Sequence, residues 1–323
     1  MEKVKVGFIG VGGMAEHHIK TLQKLERAEL TAVHDINLER ANQIGSAYGA
    51  DVYADAEQLL DSGKVDALFI CTPPFARDDI EQKAAAKGIA LLSEKPVGLD
   101  LEAAKRNARA IAASGVVNSS GYCLRYLETV QKAKTYLTGK QINMVLAYRI
   151  GGLPPVAWWR QQHMSGGQMV EQSTHQVDLV RYLAGEFDQV HSIYAQRSIR
   201  DVHPEATISD YGVVSFTMRS GAVGSIVNSC GSPHFGRGEV EIYGPDFYLC
   251  IDGKSLTIRD GETKRDEQCD TDFYLEQDRA FIEAVRTGRQ ELVLGDYAEA
   301  VATLEATLAF NASADAHKTV SVG

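Results

Sequence analysis

Three groups of residues in this chain have types and spacings that can do chemistry. The first is Gly10-Val11-Gly12-Gly13-Met14-Ala15, which follows an apolar run and has the form G-x-G-x-x-A. Such a turn between a strand and a helix receives the pyrophosphate of a dinucleotide. Its first glycine permits the tight turn, and its second lets backbone approach the phosphates. Ala15 lets the helix lie close on the sheet, while the helix N-terminus directs free N–H groups at the anion. Asp35, expected at the end of the next strand, is placed to accept ribose hydroxyls and to repel a 2′-phosphate, favouring NAD over NADP. Arg40 is the residue that would accommodate that phosphate, but its position suits a solvated helix face better. Cys71-Thr72-Pro73-Pro74 closes a later strand, and ligands bind at strand carboxyl ends, so Thr72 and Pro73 are expected beside the cofactor. His17 and His18 read as surface residues of the first helix.

The second group is Ser93-Glu94-Lys95-Pro96, again at a strand end. There the Lys95 ammonium can hydrogen-bond a reacting oxygen, and Pro96 restrains the lysine backbone to extended conformations. The third runs from Ser165 to Asp178. Ser165 and Gln168 fit a capping box, so a helix is expected to start there and to end at Gly185. On one continuous helix, Gln168, Glu171, His175 and Asp178 fall on one face, with Met169, Val170, Val177, Val180 and Ala184 opposite. A histidine between two carboxylates has three readings: a general acid/base, a metal site, or a solvated polar face. No nearby Cys or second His completes a ligand set, so no metal is assigned.

The elements that must position these groups alternate strand and helix over the first 120 residues. Apolar runs at Val4–Ile9, Leu30–His34, Ala67–Cys71, Ala90–Ser93 and Val116–Ser119 are separated by helical stretches at His17–Leu25, Leu38–Tyr48, Asp78–Lys87 and Leu101–Ala113. That pattern predicts βαβ units on a doubly wound parallel sheet, a Rossmann domain. Beyond Gly121 the pattern changes. A helix is expected at Leu127–Leu137 and a strand from Gln141 to Ile150. Several β-rich runs between Asp188 and Arg259, with no helix between them, predict an antiparallel meander. Helices at Phe273–Thr287 and Tyr297–Ala316 close the chain. The expected division is therefore 1–121, a dinucleotide-binding domain, and 122–323, an α+β domain.

A length of 323 residues suits two domains, and 44% hydrophobic with 24% charged residues is a globular composition. A net charge of −10 with no basic run argues against a nucleic-acid partner. The five cysteines are scattered and form no CxxC, which argues against a disulfide framework and suits the cytoplasm. No apolar run approaches the ~20 residues of a bilayer span, and no signal sequence is read at the N-terminus.

Taken together, GVGGMA, CTPP, SEKP, GYCLRY, WWRQQ, SGGQMVEQSTHQVD and the closing helices resemble the glucose–fructose oxidoreductase / inositol dehydrogenase (Gfo/Idh/MocA) superfamily. The resemblance implies a Rossmann domain and a C-terminal domain with a large, mostly antiparallel sheet that often mediates oligomerisation. It also implies hydride transfer between NAD(P) and a secondary alcohol or carbonyl of a sugar or cyclitol. By motif match Lys95 is the catalytic lysine, His175 the acid/base and Glu171 the position of a family carboxylate. The Gly10, Gly12, Gly13, Met14, Ala15, Asp35, Arg40, Thr72, Pro73, Glu94 and Lys95 positions fall to the cofactor. Tyr122, Arg125, Trp158, Arg160, Asp178 and Tyr274 are the substrate-contact candidates, and the aromatic and arginine residues among them suit interface packing equally. The sequence departs from the family pattern at Glu171, where Asp is commoner, at Arg77, where a His often stands, and at Cys123, where Asn is common. A homodimer or homotetramer is expected. Two other readings stay open here: a non-catalytic ligand sensor and a glycosidase that uses bound NAD.

Overall fold

The computed structural model describes residues 3–77 and 79–323. Asp78, expected to open a helix, lies outside them. In chain order the strands are β1 (Val4–Ile9), β2 (Ala28–His34), β3 (Asp51–Tyr53), β4 (Ala67–Ile70), β5 (Ala90–Ser93), β6 (Asn118–Ser120), β7 (Met144–Ile150), β8 (Phe187–Ala195), β9 (Tyr211–Met218), β10 (Val223–Ser229), β11 (Val240–Tyr243), β12 (Phe247–Asp252), β13 (Ser255–Asp260), β14 (Thr263–Gln268) and β15 (Val320–Ser321). The helices are α1 (Gly13–Leu22), α2 (Leu38–Tyr48), α3 (Ala56–Asp61), α4 (Ile80–Ala86), α5 (Leu101–Ser114), α6 (Glu128–Leu137), α7 (Gln162–Ser165), α8 (Gln168–Glu171), α9 (Thr174–Ala184), α10 (Ile199–Val202), α11 (Phe273–Thr287) and α12 (Tyr297–Ala316).

Two compact units divide the chain. The first runs to Cys123 and resumes over Asp272–Val301; the second holds Leu124–Thr271 and Ala302–Gly323. This differs from a single cut after residue 121, because α11 returns to the first unit. Its Phe281 and Ile282 are buried in the core of the parallel sheet with Val6, Phe8, Ile19 and Phe69. Phe281 meets the Phe69 ring edge-on at 5.5 Å, and Phe69 stacks on Phe8 at 4.9 Å. Each such side chain contributes about 1.5–3 kcal/mol when fully buried, enough to dictate where a distant helix docks.

The first unit's sheet is six-stranded and parallel, in the order β3-β2-β1-β4-β5-β6. It is the predicted doubly wound Rossmann sheet. The order reverses between β1 and β4, and the crevice beyond their carboxyl ends is where such sheets bind ligands. Local chemistry sets the helices. The Asn37 side chain caps α2 by accepting the Arg40 N–H at 3.1 Å, and Gly49 ends it at φ 73°. Asp100 caps α5 through the Ala103 N–H at 2.9 Å.

The second unit is built on a nine-stranded sheet ordered β14-β13-β12-β11-β7-β10-β9-β8-β15. It is mostly antiparallel but not the simple meander expected from residues 188–259. Strand β7 enters from earlier in the chain, pairs parallel with β10 and antiparallel with β11, and so divides the later strands into two groups. Helices α6, α8 and α9 pack on one face, which buries alternate residues such as Val145, Ala147, Val214, Ile226, Ile242 and Leu249. The alternate residues of β8–β10 face the other way, where Ile193, Tyr211, Val213 and Val223 are exposed.

Candidate active site

In the first unit the glycine turn has the geometry a dinucleotide requires. Gly10 sits at φ 84°, a backbone conformation that favours glycine, and a Cβ there would lie 2.9 Å from the Cys71 carbonyl carbon and the Thr72 nitrogen. Gly12 and Gly13 are exposed, with open space where a Cβ would point. Gly12 caps α1, which starts at Gly13 rather than near His17, and among the described residues no side chain makes a capping hydrogen bond there. The Thr72 hydroxyl is buried at the next strand end without a hydrogen-bond partner among the described residues. Open N–H groups and an orphan hydroxyl beside a tight glycine turn fit the pyrophosphate and sugar of NAD. Met14 and Ala15 open α1, Ala15 fully buried against the sheet.

Asp35 does more than wait for a ribose. One carboxylate oxygen accepts the Val11 N–H and the other the Asn37 N–H, both at 2.8 Å, so it also fixes the glycine turn. Arg40 is not the solvated residue expected. Its Nε donates to the Val11 carbonyl at 3.1 Å and its Nη2 to Glu16 at 2.6 Å. The Glu16 carboxyl is held below its ordinary range by Lys20 first and then Arg40. Val11 is thereby gripped from both sides of its peptide.

Arg77 is buried rather than lining a substrate site. It donates to the Ser93 hydroxyl and, at 3.1 Å, to the Thr72 carbonyl, and pairs with Glu81 at 3.5 Å. It ties the ends of β4 and β5 together, next to Pro73. Burial pushes the Glu81 carboxyl up.

The turn after β5 carries Glu94 and Lys95; the Lys95–Pro96 peptide is cis. Lys95 is half-buried and its N–H donates to Glu94 Oε2 at 3.0 Å. The Glu94 carboxylate lies against Gly121, where a Cβ would fall 2.6 Å from it. Its other oxygen is 3.1 Å from Nε2 of His18, and Nδ1 of His18 is 2.9 Å from both oxygens of Asp278 on α11. His18 is therefore not at the surface, unlike His17: its exposure is 0%. Burial alone favours neutral imidazole, but the charges and hydrogen bonds of Asp278 and then Glu94 prevail and raise its pKa from 6.5 to about 10. No local sequence signal marks this triad. Nearby, Cys123 and Tyr274 are hydrogen-bonded to each other, and burial raises the pKa of each. Tyr122 is almost wholly buried.

In the second unit the expected single helix is two. Helix α8 stops at Glu171, Gln172 and Ser173 break the run, and α9 carries His175. There is no capping box either: Ser165 ends α7, its hydroxyl accepts the Gly167 N–H at 3.0 Å, and Gly167 caps α8 at φ 83°. Gly185 does end α9. The supposed common face of acids is also divided. Asp178 is 1% exposed and bound in bidentate fashion by Arg125, at 2.8 and 2.6 Å, with the Thr303 hydroxyl donating at 3.1 Å. The Arg125 guanidinium lies 4.7 Å over the Tyr182 ring. Arg125 and Asp178 thus satisfy each other. Glu171 accepts the indole N–H of Trp159, the buried neighbour of the candidate Trp158. Arg149 on β7 faces Glu171 electrostatically, and burial lowers its pKa. Arg160 pairs with Glu205 at 2.8 Å. His175 is half-buried on α9.

A parallel doubly wound sheet with an open glycine cradle defines a dinucleotide-binding domain. The model of an oxidoreductase family with an NAD-binding Rossmann fold matches residues 4–122, and that of the GFO/IDH/MocA C-terminal domain matches residues 137–247. The chain belongs to the Gfo/Idh/MocA oxidoreductase family. It is 25% identical to myo-inositol 2-dehydrogenase of Thermotoga maritima, over 91% of each chain. It is 27% identical to the NAD(+) scyllo-inositol 2-dehydrogenase of Bacillus subtilis, over 77% of this chain and 74% of that one. Its fold matches levoglucosan dehydrogenase in complex with NADH and L-sorbose, with a TM-score of 0.88, 19% identity and complete coverage of both chains. Among the described residues no helix is long and apolar enough to cross a membrane.

Proposed function

We propose that this chain is an NAD-dependent dehydrogenase acting on a secondary alcohol or carbonyl of a sugar or cyclitol. The observation that carries the reading is the open glycine turn, with the orphan Thr72 hydroxyl beside it and Asp35 at the end of β2. Bound there, NAD supplies the hydride acceptor. His175 accepts the proton of the substrate hydroxyl. Lys95 hydrogen-bonds the same oxygen and offsets its developing charge. Glu171, oriented by the Trp159 indole, holds a neighbouring hydroxyl. Trp158 and Arg160 are the substrate contacts this reading keeps in the second unit, and Tyr274 in the first; Tyr122, almost wholly buried, is core instead. Arg125 and Asp178 act as a structural pair. The inositol dehydrogenases among its relatives support the substrate class, and Asp35 supports NAD over NADP.

The test is to titrate NAD and NADP against the protein, then screen cyclitols, aldoses and their glycosides for NADH formation. Tighter NAD binding and NADH production from at least one free polyol are expected. Release of a glycoside's leaving group without net NADH would replace this reading with the glycosidase. Binding of sugars without turnover would replace it with the sensor.

The same reading includes a homodimer or homotetramer joined through the uncovered face of the nine-stranded sheet. The exposed Ile193, Val213 and Val223 support it, since apolar patches of that kind mark interfaces. Light scattering at micromolar concentration should give a multiple of the 35.2 kDa chain mass, and a monomer would refute the assembly. A cytoplasmic location is also part of the reading, and five unpaired cysteines support it.

A further inference from the structure

The buried triad Asp278–His18–Glu94 is more than packing requires. A neutral imidazole can donate from only one of its nitrogens, whereas both nitrogens of His18 face carboxylates. Two carboxylates and a protonated ring form a buried ionic chain, and such chains are seldom a net gain in stability over apolar side chains of the same volume. What the chain does hold is a turn. Glu94 Oε1 meets His18 while Oε2 accepts the Lys95 N–H, and its carboxylate fills the space beside Gly121. The other groups facing His18 are Tyr274 from α11 at 6.0 Å, Phe69 from β4 at 5.2 Å and His17 from α1 at 6.5 Å. The Cys71 and Cys123 thiols feel the Glu94 charge, and burial first and that charge second keep both protonated.

We propose that His18 is a positioning residue for Lys95: anchored by Asp278, it clamps Glu94, and Glu94 sets the backbone from which the lysine side chain projects. The effect on turnover rests on the assignment of Lys95 above; the positioning itself does not. Two measurements separate the two. The first uses Asp278→Asn, which keeps size and removes the anchoring charge, and His18→Asn, each made with and without Lys95→Ala. A misplaced reacting group costs up to about 10²-fold, so each variant should lose about 10- to 100-fold in kcat when Lys95 is present. Neither should lose more than about twofold in the Lys95→Ala background, the coupling expected of residues acting through one another. Equal losses in both backgrounds would overturn the proposal.

The second measurement needs no turnover. Reductive methylation with 13C-formaldehyde labels the lysines, and the Lys95 signal is identified by its loss in Lys95→Ala. That signal should shift or broaden in folded Asp278→Asn, and an unchanged signal overturns the proposal even if Lys95 proves not to be catalytic. Should neither variant fold, nitrogen-15 spectra of the unmodified protein decide. They should show both nitrogens of His18 protonated at pH 8, and a neutral tautomer there would overturn the clamp.

Discussion

The two units hold their polar residues in opposite ways. In the first, the residues that face a ligand are left open and the residues behind them are tied down. Open space lies where a Cβ would point at Gly12 and Gly13, and the Thr72 hydroxyl has no hydrogen-bond partner among the described residues, while Asp35 and Arg40 grip Val11 and Arg77 holds the Thr72 carbonyl. In the second, two residues that looked available, Arg125 and Asp178, are buried and paired with each other. A polar residue's type says that it needs a partner. Only the fold says whether the partner is a ligand or another part of the chain.

The sharpest way to break this contrast is at the Arg125–Asp178 pair. Removing one partner of a buried ion pair leaves the other charge unsatisfied and costs about 3–5 kcal/mol. Asp178→Asn should lose stability of that order in a denaturant titration, with KM for substrate nearly unchanged in the folded fraction. A large rise in KM with normal stability would return Asp178 to the substrate. Next comes Lys95→Ala, which should lower turnover by roughly 10²–10³-fold, as loss of a preorganised donor does. NADH affinity, read by fluorescence titration, should change little; collapse of NADH binding with surviving turnover would make Lys95 a cofactor ligand.

Asp35→Ser is a smaller change. It removes acceptors for two backbone N–H groups, each worth about 0.5–1.5 kcal/mol, as well as the charge. NAD should bind about tenfold more weakly and the gap to NADP should narrow. Stronger NADP binding by the unmodified protein would contradict the account. A further prediction is the pH dependence of stability. The folded pKa of His18 is raised from 6.5 to about 10. Its contribution is therefore complete below about pH 6.5, declines as the pH climbs above that, and is gone once the pH passes 10. Tm should drift down across that window, and Asp278→Asn should flatten the drift. A Tm rising from pH 7 to 9 would contradict the shift.

How much of this was legible follows from how far each interaction reaches along the chain. The glycine turn and the Asp35 position belong to the first βαβ unit and its end, so period and turn chemistry were enough. Partners of His18 lie 76 and 260 residues away, and nothing in His17-His18 distinguishes the buried ring from the exposed one. The break between α8 and α9 falls at Gln172-Ser173, with no Gly or Pro to announce it, so an unbroken helical projection put Glu171 and His175 on one face. Trp159 was missed for Trp158 because a short 3-10 turn over Ala157–Arg160, not a regular period, decides which ring is buried. The parallel pairing of β7 with β10 was unreadable for another reason: register and neighbour are set by the completed sheet, and both strands carry the same alternating pattern as their antiparallel neighbours.

The central claim is that the first unit holds the cofactor while proton transfer belongs to His175 in the second. His175→Asn keeps polarity and approximate size, and the measurement is a pH–rate profile of polyol oxidation for both proteins at saturating NAD, with NADH affinity measured alongside. The account predicts unchanged NADH affinity and turnover lower by about 10²–10⁴-fold. It also predicts that the rise of rate with pH along a single ionisation, present in the parent, is absent from the variant. Near-normal turnover, or the same pH dependence in the variant, would show that His175 is not the base.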